Sequence, residues 1–159
     1  MSFTEDMRRR GMIASSVLLE ASLRLATVAD MEALRLGEGA RTVIIRRLRL
    51  ADGTPMALEH AVLPIECAPV LGEDLEQSLH EALIRLGRVP SLANSWISAM
   101  VASKSESELL RVPVRSPLIV ERRIVYDDRG APLEHTETRY VAERYVIDAV
   151  FTMYSRPEQ

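Results

Sequence analysis

The chain has 159 residues and a mass of 17.8 kDa, the size of a single domain, and its 47% hydrophobic content is enough to fill a core and excludes a disordered chain. Twenty Lys and Arg against 23 Asp and Glu give a net charge of −3 and a pI near 5.7, which excludes a nucleic-acid binder that neutralises phosphates over its whole surface. One cysteine, Cys67, excludes an internal disulfide framework and a Cys-rich zinc site, and the charged start MSFTEDMRRR is not a signal peptide. With no apolar run long enough to span a bilayer, the expectation is a cytoplasmic domain with no membrane partner.

In chain order, Thr4 is placed to cap a brief helix that Gly11 ends. Val17 to Leu25 alternates, with Val17, Leu19, Ala21, Leu23 and Leu25 on one face, and reads as a half-buried strand. Ala29 to Leu36 reads as a short helix closed by Gly37. Val43–Leu50 and Met56–Leu63 flank Asp52-Gly53, a strong hairpin signal because glycine tolerates the positive φ of a tight turn. Asp74 to Leu86 is the best-patterned helix, with Asp74 as cap, Leu75, Leu79, Ala82, Leu83 and Leu86 as the apolar stripe, and Gly87 as the stop. Ser91 to Ser103 reads as a long strand around Trp96, and Ser105 with Glu108 makes a capping-box pattern for a short helix through Leu110. Leu118–Tyr126 and Leu133–Val141 form a second hairpin, and Val146–Tyr154 reads as a last strand. Consecutive hairpins with interposed helices predict an α+β fold, mostly an antiparallel sheet with helices on one side.

The two hairpins resemble each other. Arg46-Arg47, Asp52-Gly53, Pro55 and Glu59-His60 in the first match Arg122-Arg123, Arg129-Gly130, Pro132 and Glu134-His135 in the second, with a two-residue gap. A pseudo-symmetric sheet with a shared central cleft follows.

His60, His80 and His135 have no metal-ligand spacing, and no phosphate-cradling glycine loop, nucleophile elbow or dinucleotide fingerprint is present, so no metal or cofactor is expected. Arg47 and Arg49 stand at i and i+2 of a strand and project from one face beside Val43 and Ile45. Two readings are open: a solvated or internally ion-paired sheet face, or two guanidiniums gathered around an anion. Glu59 joins that face only if the hairpin register has an even sum. Glu134 and Tyr140 share parity on the second hairpin, and Ser78 edges the apolar stripe of its helix.

The ordered set of these features resembles the UTRA domain, the effector-binding domain of HutC-type regulators in the GntR superfamily. The resemblance is carried by Phe3-Thr4-Glu5-Asp6-Met7 with Arg10-Gly11, Arg47-Leu48-Arg49, Asp52-Gly53-x-Pro55, Glu59 with Pro64, and Ser78-Leu79. Arg122-Arg123 with Tyr126-Asp127, Gly130-x-Pro132-x-Glu134 and Arg139-Tyr140 extend it over nearly the whole chain. It implies a chorismate-lyase-like fold, one ligand-binding domain over residues 1–159, a homodimer, and DNA contact only through an N-terminal winged helix-turn-helix that this chain lacks.

It also implies a site for a small anionic metabolite: a phosphosugar, a carboxylate or an amino-acid derivative. The anionic end would meet a loop of Phe3, Thr4 and Glu5, completed by Arg47, Arg49 and Ser78. Glu59, Glu134 and Tyr140 would bind the polar remainder. His80 stands where sugar-phosphate-binding members tend to carry tyrosine, a departure that leaves the ligand class open. The arginine pair adds an expectation of its own, that an anion lies between Arg47, Arg49 and the Phe3-Thr4-Glu5 loop. The alternative function is a lyase of the chorismate-lyase type with Glu134 as its acid or base.

Overall fold

The computed structural model describes residues 1–154. Its elements are α1 (Phe3–Arg9), β1 (Ala14–Leu25), α2 (Val28–Leu34), β2 (Arg41–Ala51), β3 (Thr54–Pro64), a 3-10 helix (Ile65–Gly72), α3 (Leu79–Arg85), β4 (Pro90–Val101), α4 (Lys104–Leu110), β5 (Pro117–Asp127) and β6 (Pro132–Val141). The six strands form one antiparallel sheet in the order β1-β2-β3-β6-β5-β4.

That order is a duplication. Each half runs helix, strand, helix, strand, strand, and the halves meet where β3 pairs with β6. Equivalent features recur at one sequence offset. Ser2 and Ser78 cap α1 and α3, and Gly11 and Gly87 follow those helices at positive φ. Thr27 and Ser103 cap α2 and α4 with capping boxes to Asp30 and Glu106, and Arg35 and Arg111 end those helices in the left-handed region. The expected pseudo-symmetry is therefore present, but the Glu-His match between the hairpins slips by two residues. Glu134 faces Val125 as Ala57 faces Arg49, so the structural counterpart of Glu134 is Ala57 and not Glu59.

The antiparallel α+β architecture is as the sequence predicts, but the helices divide between the two faces. On one face, Val43, Ile45, Ala61 and Leu63 pack under Val70 of the 3-10 helix and under Leu79 and Leu83 of α3, while Met7 of α1 packs with Ala51 and Met56. On the other, Leu34 of α2 covers Ile44 and Val62, and Leu110 of α4 packs with Leu48, Leu58 and Leu118.

Several local expectations are corrected. Ser2, not Thr4, caps α1, and Ser103 with Glu106, not Ser105 with Glu108, caps α4. The helix expected from Asp74 begins only at Leu79, and the 3-10 helix before it was not foreseen. β1 is an edge strand with a bulge at Leu18/Glu20, so Val17, Leu19, Leu23 and Leu25 are exposed rather than half-buried. Val146–Tyr154 forms no strand; Val150, Phe151, Met153 and Tyr154 lie open to solvent.

Candidate functional site

The sheet rows on the α1/α3 face bring the expected residues together. Arg47 lies opposite Glu59, Glu59 opposite Thr138, and Thr138 opposite Glu121, so four strands place their polar side chains in one line. The register sum is even, which puts Glu59 on the arginine face. One row along, Arg49, Ala57 and Tyr140 align.

Arg47 is 2% exposed, and each of its three nitrogens donates. Its Nε and Nη2 donate to Glu59 Oε1 at 2.9 and 2.6 Å, and Nη1 donates to the Leu75 and Gln77 carbonyls at 3.1 and 2.9 Å. Arg49, 4% exposed, donates from Nη1 to Glu59 Oε2 at 3.2 Å and reaches Thr4 Oγ1 at 3.5 Å, with the Phe3 ring 4.6 Å from its guanidinium carbon. Its Nε is buried without a partner among the described residues. Glu59 thus divides its two oxygens between two buried cations.

The expectation that an external anion lies between the arginines is therefore corrected: a carboxylate of the same chain fills that position. Burial would raise the Glu59 carboxyl, but Arg47 and Arg49 outweigh it and hold it down to about 2. Burial pulls Arg49 down to about 10 despite Glu59, because Arg47 works in the same direction as burial.

Across the cleft, His80 Nε2 lies 2.9 Å from Glu134 Oε2, joining α3 to β6. Burial would lower the His80 pKa, but the hydrogen bond and charge of Glu134 raise it above the ordinary value. Tyr140 stacks on Tyr145 with ring centroids 4.0 Å apart, and the Tyr145 hydroxyl donates to Asp6 of α1 at 2.6 Å. Arg10 binds the same carboxylate and donates to the Val146 carbonyl, so this clasp ties α1 to the segment that follows β6.

Of the ten predicted residues, Phe3, Thr4, Arg47, Arg49, Glu59, Ser78, His80, Glu134 and Tyr140 line one cavity. Phe3 and Thr4 sit in the first turn of α1 rather than in a loop, and Ser78 is the cap of α3. Glu5 lies outside: its carboxylate turns back to the Ser2 amide and closes the capping box. Glu121, Arg123, Thr136 and Thr138 also line the cavity and were missed. Arg123 was visible as part of the repeated Arg-Arg motif, but the β3–β6 register that aims it inward was not. The cavity is about 60 Å³, room for a water or two. Among the described residues no three His, Cys, Asp or Glu groups are placed to hold a metal. No helix among them is long and apolar enough to cross a membrane.

Comparison with known proteins agrees with this fold. Residues 9–146 match the UTRA domain family. The chain is 32% identical over 91% of its length to the HTH-type transcriptional repressor NagR of Bacillus subtilis, and 26% identical over 94% to the HTH-type transcriptional repressor PhnF of Mycolicibacterium smegmatis. It spans only 60% and 62% of those relatives. The crystal structure of the effector domain of PhnF from Mycobacterium smegmatis superposes with a TM-score of 0.88 at 26% identity, covering 95% of this chain and 94% of that one.

Proposed function

The chain belongs to the UTRA domain family, the effector domain of GntR-family transcription regulators, and from that premise we propose that its α1/α3 cleft senses a small anionic metabolite. As a UTRA domain whose named relatives are transcription repressors, the chain is a regulatory domain rather than an enzyme. The reading places it in the HutC type, working in the cytoplasm and contacting DNA through a part of the protein outside this chain.

The observation that carries the reading is Arg49. A buried guanidinium whose Nε has no partner among the described residues, and which shares the Glu59 carboxylate with Arg47, supplies both a donor and positive charge to an incoming oxyanion. His80, Glu134, Thr138 and Tyr140 supply the polar contacts for the rest of the ligand. At about 60 Å³ the cleft is too narrow for a metabolite, so in this reading α1 moves to admit one, and the Phe3 and Thr4 contacts on Arg49 are the ones that part. Movement of α1 is what a preceding DNA-binding head would feel.

A homodimer belongs to the same reading. The β4 edge of the sheet is open and apolar, with Leu92, Trp96, Ile97 and Val101 exposed, and the largely exposed 146–154 segment is rich in β-forming residues. A second copy offers such an edge and such a segment to each other.

The test is a thermal-shift screen against phosphosugars, carboxylates and amino-acid derivatives, followed by titration of each hit against Arg49→Gln, with light scattering of the free chain. A hit that raises the midpoint of the parent and loses about tenfold in affinity in the variant is expected. Hits that bind Arg49→Gln as well as the parent overturn the site, and turnover of chorismate abolished in Glu134→Gln would promote the lyase.

A further inference from the structure

The duplication that builds the α1/α3 cleft builds a second one on the opposite face. There α2 and α4, the equivalent capped helices, stand apart and leave the middle of the sheet uncovered. Across that gap Arg46 lies opposite His60, His60 opposite Glu137, and Glu137 opposite Arg122. The cavity between Arg46, His60, Glu137 and α4 is about 450 Å³, and a neighbouring hollow of about 420 Å³ toward α2, lined also by Arg122, shares Arg24, His60 and Glu137 with it. This is metabolite-sized space, against about 60 Å³ on the other face.

Charge is not evenly matched along the gap. At the β5–β6 end the pairs close: Arg139 binds Glu106 at 2.7 Å and Glu137 at 3.5 Å, Arg122 lies 3.5 Å from Glu137, and His135 meets Asp30 at 2.8 Å. At the β1–β3 end one carboxylate serves two cations. Glu20 holds Arg24 at 2.7 Å and comes no nearer than 3.9 Å to Arg46. Among the described residues Arg46 makes no side-chain hydrogen bond, and His60 Nε2 is buried with no partner. Burial lowers the His60 pKa, and the charges of Arg46 and Arg24 lower it further, with Asp30 and Glu20 opposing them.

We propose that this cavity is a second ligand site, in which Arg46, Arg24 and the unpartnered Nε2 of His60 take the carboxylate or phosphate of a small organic acid or phosphate ester. The anion does three things at once: it supplies the missing partner of His60, replaces solvent as an acceptor for Arg46, and adds the charge that Glu20 alone does not balance. Leu19 and Leu58 form the apolar part of the wall and Ser105 adds a hydroxyl, which suits a ligand with a short carbon body. The two sites lie back to back. Arg46 and Arg47 are consecutive on β2, as are Glu59 and His60 on β3, so a shift of either strand is felt on both faces.

The experiment is NMR of the imidazole resonances, with His60 assigned by its loss in His60→Gln, during titration of the chain with inorganic phosphate and separately with acetate at constant ionic strength. A saturable shift of the His60 signal is expected, weakened about tenfold in Arg46→Gln and in Arg24→Gln and unchanged in Arg49→Gln. The stronger of the two probes identifies the headgroup. Arg46 and Arg24 have side chains 43% and 47% exposed, so their variants keep the fold, and an unchanged unfolding midpoint checks this. No saturable shift with either probe up to about 50 mM overturns the proposal, since that bounds any affinity at a negligible level. So does a shift that survives in Arg46→Gln, or one that disappears in Arg49→Gln and therefore reports the opposite cleft.

Discussion

Replacing Glu59 by glutamine removes the one carboxylate that lies between two almost fully buried guanidiniums. The amide fills the same space but carries no charge, and its nitrogen turns a donor toward two cations that have only donors to give. Arg47 retains the Leu75 and Gln77 carbonyls, whereas Arg49 keeps only the 3.5 Å contact with Thr4 and the face of Phe3. Two lines give the magnitude. Breaking a buried ion pair from one side costs about 3–5 kcal/mol. Holding the Glu59 carboxyl at about 2 rather than 4.5 is worth about 3 kcal/mol of folding free energy near neutrality.

Because the folded pKa is depressed, that stability is present above the unfolded value and is lost as pH falls through the range from about 4.5 to about 2. Urea unfolding at pH 7 should therefore show a loss of about 3 kcal/mol in Glu59→Gln. Over the acid range the parent should lose stability that the variant does not have to lose. Sulfate should recover part of the loss in the variant and little in the parent, since an anion can enter the place of the carboxylate. A variant within about 1 kcal/mol of the parent at pH 7 would refute the reasoning, because an unbalanced buried pair of arginines cannot be that cheap.

Two smaller predictions test the neighbouring elements. His80→Gln should remove a pH dependence of opposite sign: the raised His80 pKa makes its pairing with Glu134 stabilising below the unfolded value, and the benefit fades as pH rises through the folded one. Thermal midpoints from pH 5.5 to about 8 should thus fall more steeply in the parent than in the variant, and parallel curves would exclude the pair as a contributor. Ser103→Ala should cost about 1 kcal/mol by opening the α4 capping box, while Ser105→Ala should be within about 0.5 kcal/mol of the parent; equal losses would mean the cap is misplaced.

What the sequence could and could not reveal divides along the line between local and non-local physics. Parity on a strand is local, so Arg47 and Arg49 were legible as neighbours on one face, and the Asp52-Gly53 turn placed the hairpin. The Ser2-x-x-Glu5 and Ser103-x-x-Glu106 boxes were also legible as patterns, but each stood beside a competitor, Thr4 or Ser105, and only packing selects between them. The β3–β6 pairing joins the two halves of the duplication with no turn to fix its register, so the line from Glu59 through Thr138 to Glu121 could not be drawn. β1 departs from its pattern because alternation marks a burial that, in this single chain, the edge position does not provide.

The helix expected from Asp74 failed for a reason that belongs to the site itself. Most of its stripe is sound: Leu75, Leu79, Ala82 and Leu83 are buried as the periodicity requires, and Leu86 at its end is exposed. The first turn is nevertheless unwound, because the carbonyls of Leu75 and Gln77 accept from Arg47. In a helix starting at Asp74, the Leu75 carbonyl would instead accept from the Leu79 amide, inside a wall of side chains that an arginine could not enter. Burying Arg47 needs acceptors for all its donors, and Glu59 has only two oxygens to divide between two arginines. The chain meets that demand by giving up a helical turn, and Ser78 caps what is left. The break in the local rule and the construction of the cleft are thus one event, which is where a sequence that otherwise agrees with its fold is expected to disagree with it.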